Sequence, residues 1–271
     1  MGASLLAAGV GMRGAPASVT GPGARAQTTA GQSSASKPGG DQAGAGQTGT
    51  DKAGGPVTIT DEEEIRIGEV LADKFALNQG IAPTPESLYI ETYLKKVGDK
   101  LAANAGRRPA YRFRFDPNPR FNSAVGLPGG QIFVGAGILA YVDSEDQLAI
   151  VLGHEIAHVS LNHCRERVEQ ILAEQHLAAT DAARLKIEDF VAGYGNDKEL
   201  AADREGVRLA IAAGYNANAG VRLLQMFVLL GQQRPHSPTE REQSIEERIT
   251  QMQTLAKQQT AAPAETPLGL R

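Results

Sequence analysis

The feature that most constrains the fold is an apolar stretch that carries ionisable side chains. The run from Leu148 to Leu161 reads LAIVLGHEIAHVSL. It is long enough for a buried helix, but too short and too polar to cross a bilayer. Burying His154, Glu155 and His158 without partners would be costly. We therefore expect the fold to bring partners for these three side chains into its core.

The spacing of the first two histidines is typical of a metal site on a helix. His154 and His158 are four residues apart, which places both imidazoles on one helical face, one turn apart. Two neutral imidazoles in this arrangement can share a tetrahedral zinc ion. Glu155 lies about 100° round the helix from His154 and can act as general base on a zinc-bound water. The alternative is a helix that carries this motif by coincidence.

A third histidine and the single cysteine follow closely. His163 is nine residues after His154, about 180° round the same helix, so we expect it to face away from the metal. It is interpreted as a surface histidine or as a hydrogen-bond partner behind a ligand. Cys164 is the only cysteine, which excludes a disulfide within the chain, and we expect it to be a small buried side chain.

The metal site needs a third protein ligand. A histidine six residues after His158 is excluded, because that position is cysteine. The later segment KELAADREG supplies Glu199 and, one turn further on the same face, Asp203. Glu199 can bind the metal, and Asp203 can accept the free N–H of a ligating histidine. The alternative is a solvated face on which both acids pair with Lys198 and Arg204.

Composition divides the chain into four segments. Residues 1–26 combine a short apolar stretch with a small-residue cleavage site, without a basic N-terminal region. This indicates a possible export signal or, alternatively, an Ala-rich leader. Residues 27–56 are rich in Gly, Ala, Ser and Thr and predict a disordered linker. We expect the folded domain at 57–258 and a disordered tail at 259–271.

Local patterns predict a mainly helical α+β fold for the domain. Thr60 and the acidic residues after it indicate a capped helix that ends at Gly80, and a second helix is expected to end at Gly106. YRFRFD alternates like a half-buried strand, and a Leu-Pro-Gly-Gly turn leads into a short strand at Gln131–Val134. The remaining segments have helical periodicity.

Three linked segments resemble a known family. SEDQLAIVLGHEIAHV, ELAADREG and FNSAVGLPGGQIFVGAGIL are similar to the HtpX-like gluzincin zinc metallopeptidases over about residues 60–250. The resemblance implies a zincin-like domain in which His154, His158 and Glu199 bind one zinc ion. It makes Glu155 the catalytic residue and places Asp203 behind a ligand.

The resemblance also implies a small sheet whose edge strand borders the cleft and binds an extended peptide. The expected substrate-binding residues are Gly129, Gly130, Gln131, Ile132, Phe133 and Val134.

Two further residues are candidates for stabilising the oxyanion. Relatives carry a His-Pro pair followed by an arginine. Here His236 is followed by Ser237, and the arginine is either Arg241 or Arg248. His236 could stabilise the oxyanion, cover the metal as a gate, or cap the last helix. Tyr194 is a second candidate, with an ordinary loop tyrosine as the alternative.

The expected function is that of the soluble, exported bacterial branch of the family, without a helical-repeat domain. This is a zinc metalloendopeptidase in the periplasm or cell envelope that cleaves unfolded or misassembled envelope proteins, with outer-membrane clients. One alternative is a latent or non-cleaving zinc protein that binds clients like a chaperone, and another is a zinc hydrolase for other substrates. The net charge of −4 and the lack of a basic run argue against a nucleic-acid partner.

Overall fold

The computed structural model describes residues 57–191, 193–232, 240–259 and 261–270. The predicted export signal (1–26), the predicted linker (27–56) and His236 lie outside the described residues. The expected domain boundaries at 57 and 258 stay predictions. Residues 261–270 of the expected disordered tail pack on the domain, with Leu268 buried and the Thr266 N–H donating to Asp146 Oδ2 at 2.7 Å. Within the described part, no helix is both long and apolar enough to cross a membrane.

The described part is mostly helical with one small sheet, which confirms the predicted α+β class. Short 3-10 segments lie at Pro128–Gly130 and Ala179–Arg184. The helices are α1 (Asp61–Gln79), α2 (Pro85–Ala102), α3 (Ala136–Leu139), α4 (Glu145–Ser160), α5 (His163–Glu174), α6 (Glu188–Val191), α7 (Asn196–Ala212), α8 (Asn218–Gln232) and α9 (Glu240–Ala256). The strands are β1 (Arg112–Asp116), β2 (Ala124–Leu127) and β3 (Gln131–Gly135).

Capping residues fix the ends of the first helix as predicted. The Thr60 hydroxyl accepts the Glu63 N–H, and the Glu63 carboxylate accepts the Thr60 N–H. Gly80 ends α1 with φ = 65°, a conformation that suits glycine. The second helix ends at Ala102, four residues before the predicted Gly106. Asn104 satisfies carbonyl groups at this end: its side-chain amide donates to the Lys100 carbonyl and its N–H to the Leu101 carbonyl.

The order of the strands corrects one prediction. The sheet runs β1-β3-β2, with β1 parallel and β2 antiparallel to β3. Residues Gln131–Val134 thus belong to the central strand, paired on both sides, so the prediction that they form the edge was wrong. The edge beside α4 is β2. Local alternation predicts that a segment is a strand, but it carries no information about spatial order.

The six predicted substrate-binding residues lose their basis with this strand order. Ile132, Phe133 and Val134 are fully buried in β3, and Gln131 is also buried. Gly129 has φ = 68°, and a Cβ atom there would lie 2.7 Å from the Cα of Ile65 in α1. A Cβ at Gly130 would lie 3.1 Å from Pro109 Cγ. The turn therefore packs under α1 and does not line an open edge.

Two apolar clusters flank the sheet, and α4 lies in the larger one with nearly all of its residues buried. It crosses α7 with backbone in contact with backbone. A Cβ at Gly153 would lie 2.8 Å from the Gly206 carbonyl oxygen, and a Cβ at Gly206 would lie 2.8 Å from the His154 nitrogen. Only glycine allows this approach, which sets α7 directly against the His154 turn.

A buried carboxylate ties α1 to the turn between β2 and β3. Glu64 is fully buried and accepts hydrogen bonds from Arg107, from Arg165 Nε at 2.7 Å and from the Gly129 N–H at 3.1 Å. Burial alone would raise the pKa of Glu64, but these donors hold the pKa below its ordinary value. The charged form of Glu64 therefore stabilises the fold.

We expect Glu64→Gln to destabilise the protein by about 2–4 kcal/mol at pH 7, between the values for exposed and for fully buried pairs. The folded-state pKa lies below the unfolded-state pKa, so this stabilisation is lost as the pH falls through the folded-state value. Urea unfolding measures the difference in the free energy of unfolding between Glu64→Gln and wild type, and this difference should be smaller at pH 4 than at pH 7. The exposed Glu62→Gln is the control, and an equal difference at both pH values would contradict this account.

Candidate metal centre

Helix α4 places the two motif histidines on one face. Ser144 caps its N-terminus by accepting the Gln147 N–H, and the helix continues unbroken through His154 and His158. The Nε2 atoms of the two imidazoles lie 2.9 Å apart. Both side chains are buried, so their polar nitrogens converge on one small volume inside the protein.

Helix α7 brings a carboxylate to the same point. Glu199 Oε2 lies 3.3 Å from His154 Nε2, and Glu199 Oε1 lies 3.7 Å from His158 Nε2. With the 2.9 Å between the histidines, these distances bracket the roughly 3.3 Å between donors of tetrahedral zinc. Glu199 Oε2 is buried and has no hydrogen-bond partner among the described residues. The three side chains therefore fit a divalent cation.

Asp203 and Arg248 support this ligand group from behind. The Nδ1 atom of His154 lies 2.9 Å from Asp203 Oδ1, which fixes the ring orientation. Arg248 in α9 donates two hydrogen bonds to the Asp203 carboxylate, from Nε at 2.6 Å and from Nη2 at 2.9 Å. The Nη1 atom of Arg248 lies 3.4 Å from Glu199 Oε2. Of the two arginines left open by the sequence, Arg248 lies at the site.

The burial of both acids argues against a solvated face. Glu199 is 3% and Asp203 is 1% exposed. Lys198 pairs instead with Glu166 at 2.6 Å, and Arg204 donates to Gln251 at 2.9 Å.

The charges around the site keep the carboxylate of Glu199 ionised next to the histidines. Burial lowers the pKa of His154, but the carboxylates of Asp203 and Glu199 outweigh burial and raise it to about 9. Burial likewise opposes the charge on Glu199, yet the nearby His154, His158 and Arg248 lower its pKa to about 2. Glu199 is therefore ionised at neutral pH, as a metal ligand must be.

His163 turns back toward the site, so the prediction that it faces away was wrong. Helix α4 ends at Ser160, and Asn162 adopts φ = 63° before α5 begins at His163. A half-turn offset between His154 and His163 requires one continuous helix, and the helix breaks between them. His163 Nδ1 lies 3.0 Å from His158 Nδ1, behind the ligand, where it can accept the Nδ1 proton of His158. Burial lowers the pKa of His163 to about 4, so the ring is neutral.

Glu155 contacts the edge strand β2. Its Oε2 atom accepts the Gly126 N–H at 2.7 Å, and the residue is 1% exposed. A Cβ at Gly126 would lie 3.0 Å from the Glu155 carbonyl oxygen, so glycine permits the close approach of β2 to α4. Gly126 lies in the segment FNSAVGLPGGQIFVGAGIL, whose sequence gives no signal for this long-range contact.

Tyr194 and Cys164 lie beside this contact. The Tyr194 hydroxyl is 3.4 Å from the Gly126 carbonyl oxygen and 3.2 Å from Cys164 Sγ. Cys164 is fully buried, as predicted, and burial raises the pKa of its thiol to about 12. An inert thiol is therefore expected at this position.

We expect a metal ion and a proton to compete for His154. Zinc binds neutral imidazole, whereas His154 with a pKa of about 9 carries a proton at pH 7. The apparent zinc affinity should therefore rise with pH up to about 9, with release of a proton on binding. Calorimetry in two buffers of different ionisation enthalpy measures this release. Zinc binding to Asp203→Asn should release fewer protons than zinc binding to wild type. Zinc binding to wild type without proton release at pH 7 would contradict the assignment of His154 as a ligand.

Arg248→Leu should destabilise the protein by about 3–5 kcal/mol, because it leaves the Asp203 carboxylate buried without its guanidinium. Arg248→Lys should recover only part of the lost stability, since lysine cannot make the bidentate contact with the carboxylate. Urea unfolding measures both, with the exposed Arg204→Leu as the control. Wild-type stability of Arg248→Leu would rule out the proposed support.

The sequence also matches known proteins. A family model described as "Peptidase family M48" matches residues 90–256, more than half of the chain. A "Putative beta-barrel assembly-enhancing protease" of Vibrio cholerae is 28% identical over 182 residues, which are 60% of this chain and 37% of that protein. The "Beta-barrel assembly-enhancing protease" of Escherichia coli K12 is 23% identical over 192 residues, 63% of this chain and 39% of that protein.

A mitochondrial relative matches as well. The "Mitochondrial metalloendopeptidase OMA1" of Schizosaccharomyces pombe is 30% identical over 149 residues, 51% of this chain and 43% of that protein. The chain thus spans less than half the length of each of these three relatives.

Proposed function

The chain belongs to peptidase family M48, and from this premise we propose that it is a zinc-dependent metalloendopeptidase. The observation that carries the proposal is the convergence of His154, His158 and Glu199 from two helices, with Glu155 beside them. Zinc suits this donor set, because it prefers imidazole and carboxylate ligands in a tetrahedral arrangement. A zinc ion held there would polarise the scissile carbonyl and lower the pKa of its bound water.

Proton transfer and the orientation of the metal ligands are the tasks of the chain's own residues. Glu155 takes a proton from the attacking water and passes it to the leaving amine, which breaks the peptide bond into a carboxylate and an amine. Its carboxylate is oriented by the Gly126 N–H. Asp203 and His163 hold the Nδ1 sides of the two ligand imidazoles and keep the Nε2 atoms directed at the metal.

The edge strand suggests how the substrate lies. Since the Gly135 N–H donates to the Ser123 carbonyl, Ser123 and Val125 direct their backbone groups toward β3, and Gly126 directs its groups to the opposite side. That side faces Glu155. We place an extended substrate along the edge of β2, in place of the predicted Gln131–Val134, because a chain added there passes over Glu155. Strand β2 is buried and its Gly126 N–H already binds Glu155, so the substrate can pair with this edge only after that side of the strand opens.

We further propose unfolded or misassembled cell-envelope proteins as substrates. The printed names of two relatives refer to β-barrel assembly, and the predicted export signal at 1–26 agrees with a periplasmic location. The catalytic role and the oxyanion contact of His236 stay predictions, as does the oxyanion contact of Tyr194.

A latent or non-cleaving binding module is the second candidate. The observation in its favour is the exclusion of solvent: His154 and Glu155 are each 1% exposed, and Glu199 is 3% exposed. A substrate reaches these atoms only if part of the protein moves.

The test uses the full chain, with wild type beside Glu155→Gln and the exposed Glu62→Gln as a matched control. We expect one zinc per chain in all three proteins, because Glu155 is not a ligand. Casein cleavage should persist in wild type and Glu62→Gln and fall by at least about 10²-fold in Glu155→Gln, since the proton acceptor is lost.

Each other outcome has a definite meaning. Zinc in all three proteins without cleavage by any of them would favour the binding module. Cleavage that survives in Glu155→Gln would contradict the assigned base, and absence of zinc from wild type would refute the metal site.

A further inference from the structure

We propose that Tyr194 is a positioning residue that connects two zinc ligands to the edge strand. This inference rests on the proposed zinc site. Tyr194 lies between Gly193 (φ = 87°) and Gly195 (φ = 90°), just before α7 begins. These two glycines adopt backbone conformations that other residues rarely adopt, and they turn the chain so that the tyrosine enters the site.

The ring of Tyr194 holds the face of one ligand. It stacks on the His158 imidazole with centroids 4.5 Å apart and planes 27° apart. His163 holds the Nδ1 edge of the same imidazole at 3.0 Å. His158 is thus fixed on a face and on an edge, which leaves its Nε2 atom directed toward His154 and Glu199.

The backbone of Tyr194 orients a second ligand. Its N–H donates to Glu199 Oε1 at 3.3 Å. The other oxygen, Oε2, has no hydrogen-bond partner among the described residues and lies 3.3 Å from His154 Nε2. One oxygen is therefore restrained by the loop, and the other is available to the metal.

The hydroxyl of Tyr194 reaches the edge strand. It lies 3.4 Å from the carbonyl oxygen of Gly126, whose N–H binds Glu155. A phenol keeps its proton at neutral pH, so this hydroxyl can donate a hydrogen bond. Cys164 Sγ lies 3.5 Å from the same carbonyl oxygen, so Tyr194 and Cys164 hold the Gly126 carbonyl and Glu155 holds its N–H.

Arg167 in α5 secures the loop that carries the tyrosine. Its guanidinium lies 5.7 Å from the centre of the Tyr194 ring, and its Nη2 donates to the Gly193 carbonyl at 2.8 Å. The cation near the ring and the hydrogen bond to the loop both restrain Tyr194. These contacts assign separate tasks: the ring orients a metal ligand, and the hydroxyl orients the strand.

The test compares Tyr194→Leu and Tyr194→Phe in the full chain, with Tyr89→Leu on the exposed face of α2 as control. The first readout is the rate of zinc transfer to a chelator. Phenylalanine keeps the stacked ring, so we expect near wild-type release, whereas leucine should accelerate release by about 10- to 100-fold. In the cobalt-substituted protein, the visible spectrum should shift for leucine and stay unchanged for phenylalanine.

The second readout is casein cleavage, which reports on the hydroxyl. We expect Tyr194→Phe to lower kcat/KM by roughly 5-fold with zinc still bound, because one neutral hydrogen bond to the strand is lost. Tyr89→Leu should match wild type in both readouts. Wild-type zinc release and cobalt spectrum in a folded Tyr194→Leu would overturn the role of the ring, and unchanged kcat/KM in Tyr194→Phe would overturn that of the hydroxyl.

A second variant keeps the test decisive if Tyr194→Leu does not fold. Arg167→Leu leaves the tyrosine in place but removes the bond to the Gly193 carbonyl, so zinc release should accelerate more than in Tyr89→Leu. Release at the wild-type rate would overturn the proposal. Wild type without bound zinc would instead refute the proposed function, so the two failures are distinguishable.

Discussion

The backbone contact between α4 and α7 is the constraint on which the site depends. Gly153 and Gly206 let the helices approach until a Cβ on either would overlap the other's backbone. At that distance, His154 meets Glu199 and Asp203 without any bridging side chain. The candidate metal centre is therefore a consequence of helix packing, because two helices supply the proposed ligands.

Charge balance explains why these helices tolerate so many buried ionisable groups. Glu155, Glu199 and Asp203 bring three carboxylates into a space that excludes solvent, and Arg248 supplies one positive charge. A divalent cation would balance the remainder, which is a physical reason for this group to hold zinc. The same balance makes Arg248 in α9 part of the site although it lies far from the motif in sequence.

The sequence predicted the parts of this arrangement that follow from local spacing. The four-residue interval fixes His154 and His158 on one face, and the E-x-x-x-D pattern pairs Glu199 with Asp203. The capping of α1 by Thr60 also followed from residues close in sequence.

The failures involved long-range pairing or a break in periodicity. The central position of β3 depends on its pairing with β1, which no local pattern encodes. His163 returns to the site only because Asn162 adopts a left-handed conformation. The contact between Tyr194 and His158 was equally inaccessible, since it depends on how the loop before α7 packs against α4.

X-ray absorption at the zinc edge on the full chain tests the central claim most directly. Our account predicts two imidazole ligands and low-atomic-number donors at about 2.0–2.1 Å, with four-coordinate geometry. Glu199→Ala should lose an oxygen donor or the zinc itself. Zinc without imidazole ligands, or an unchanged spectrum in Glu199→Ala, would contradict the assignment of His154, His158 and Glu199 as its ligands.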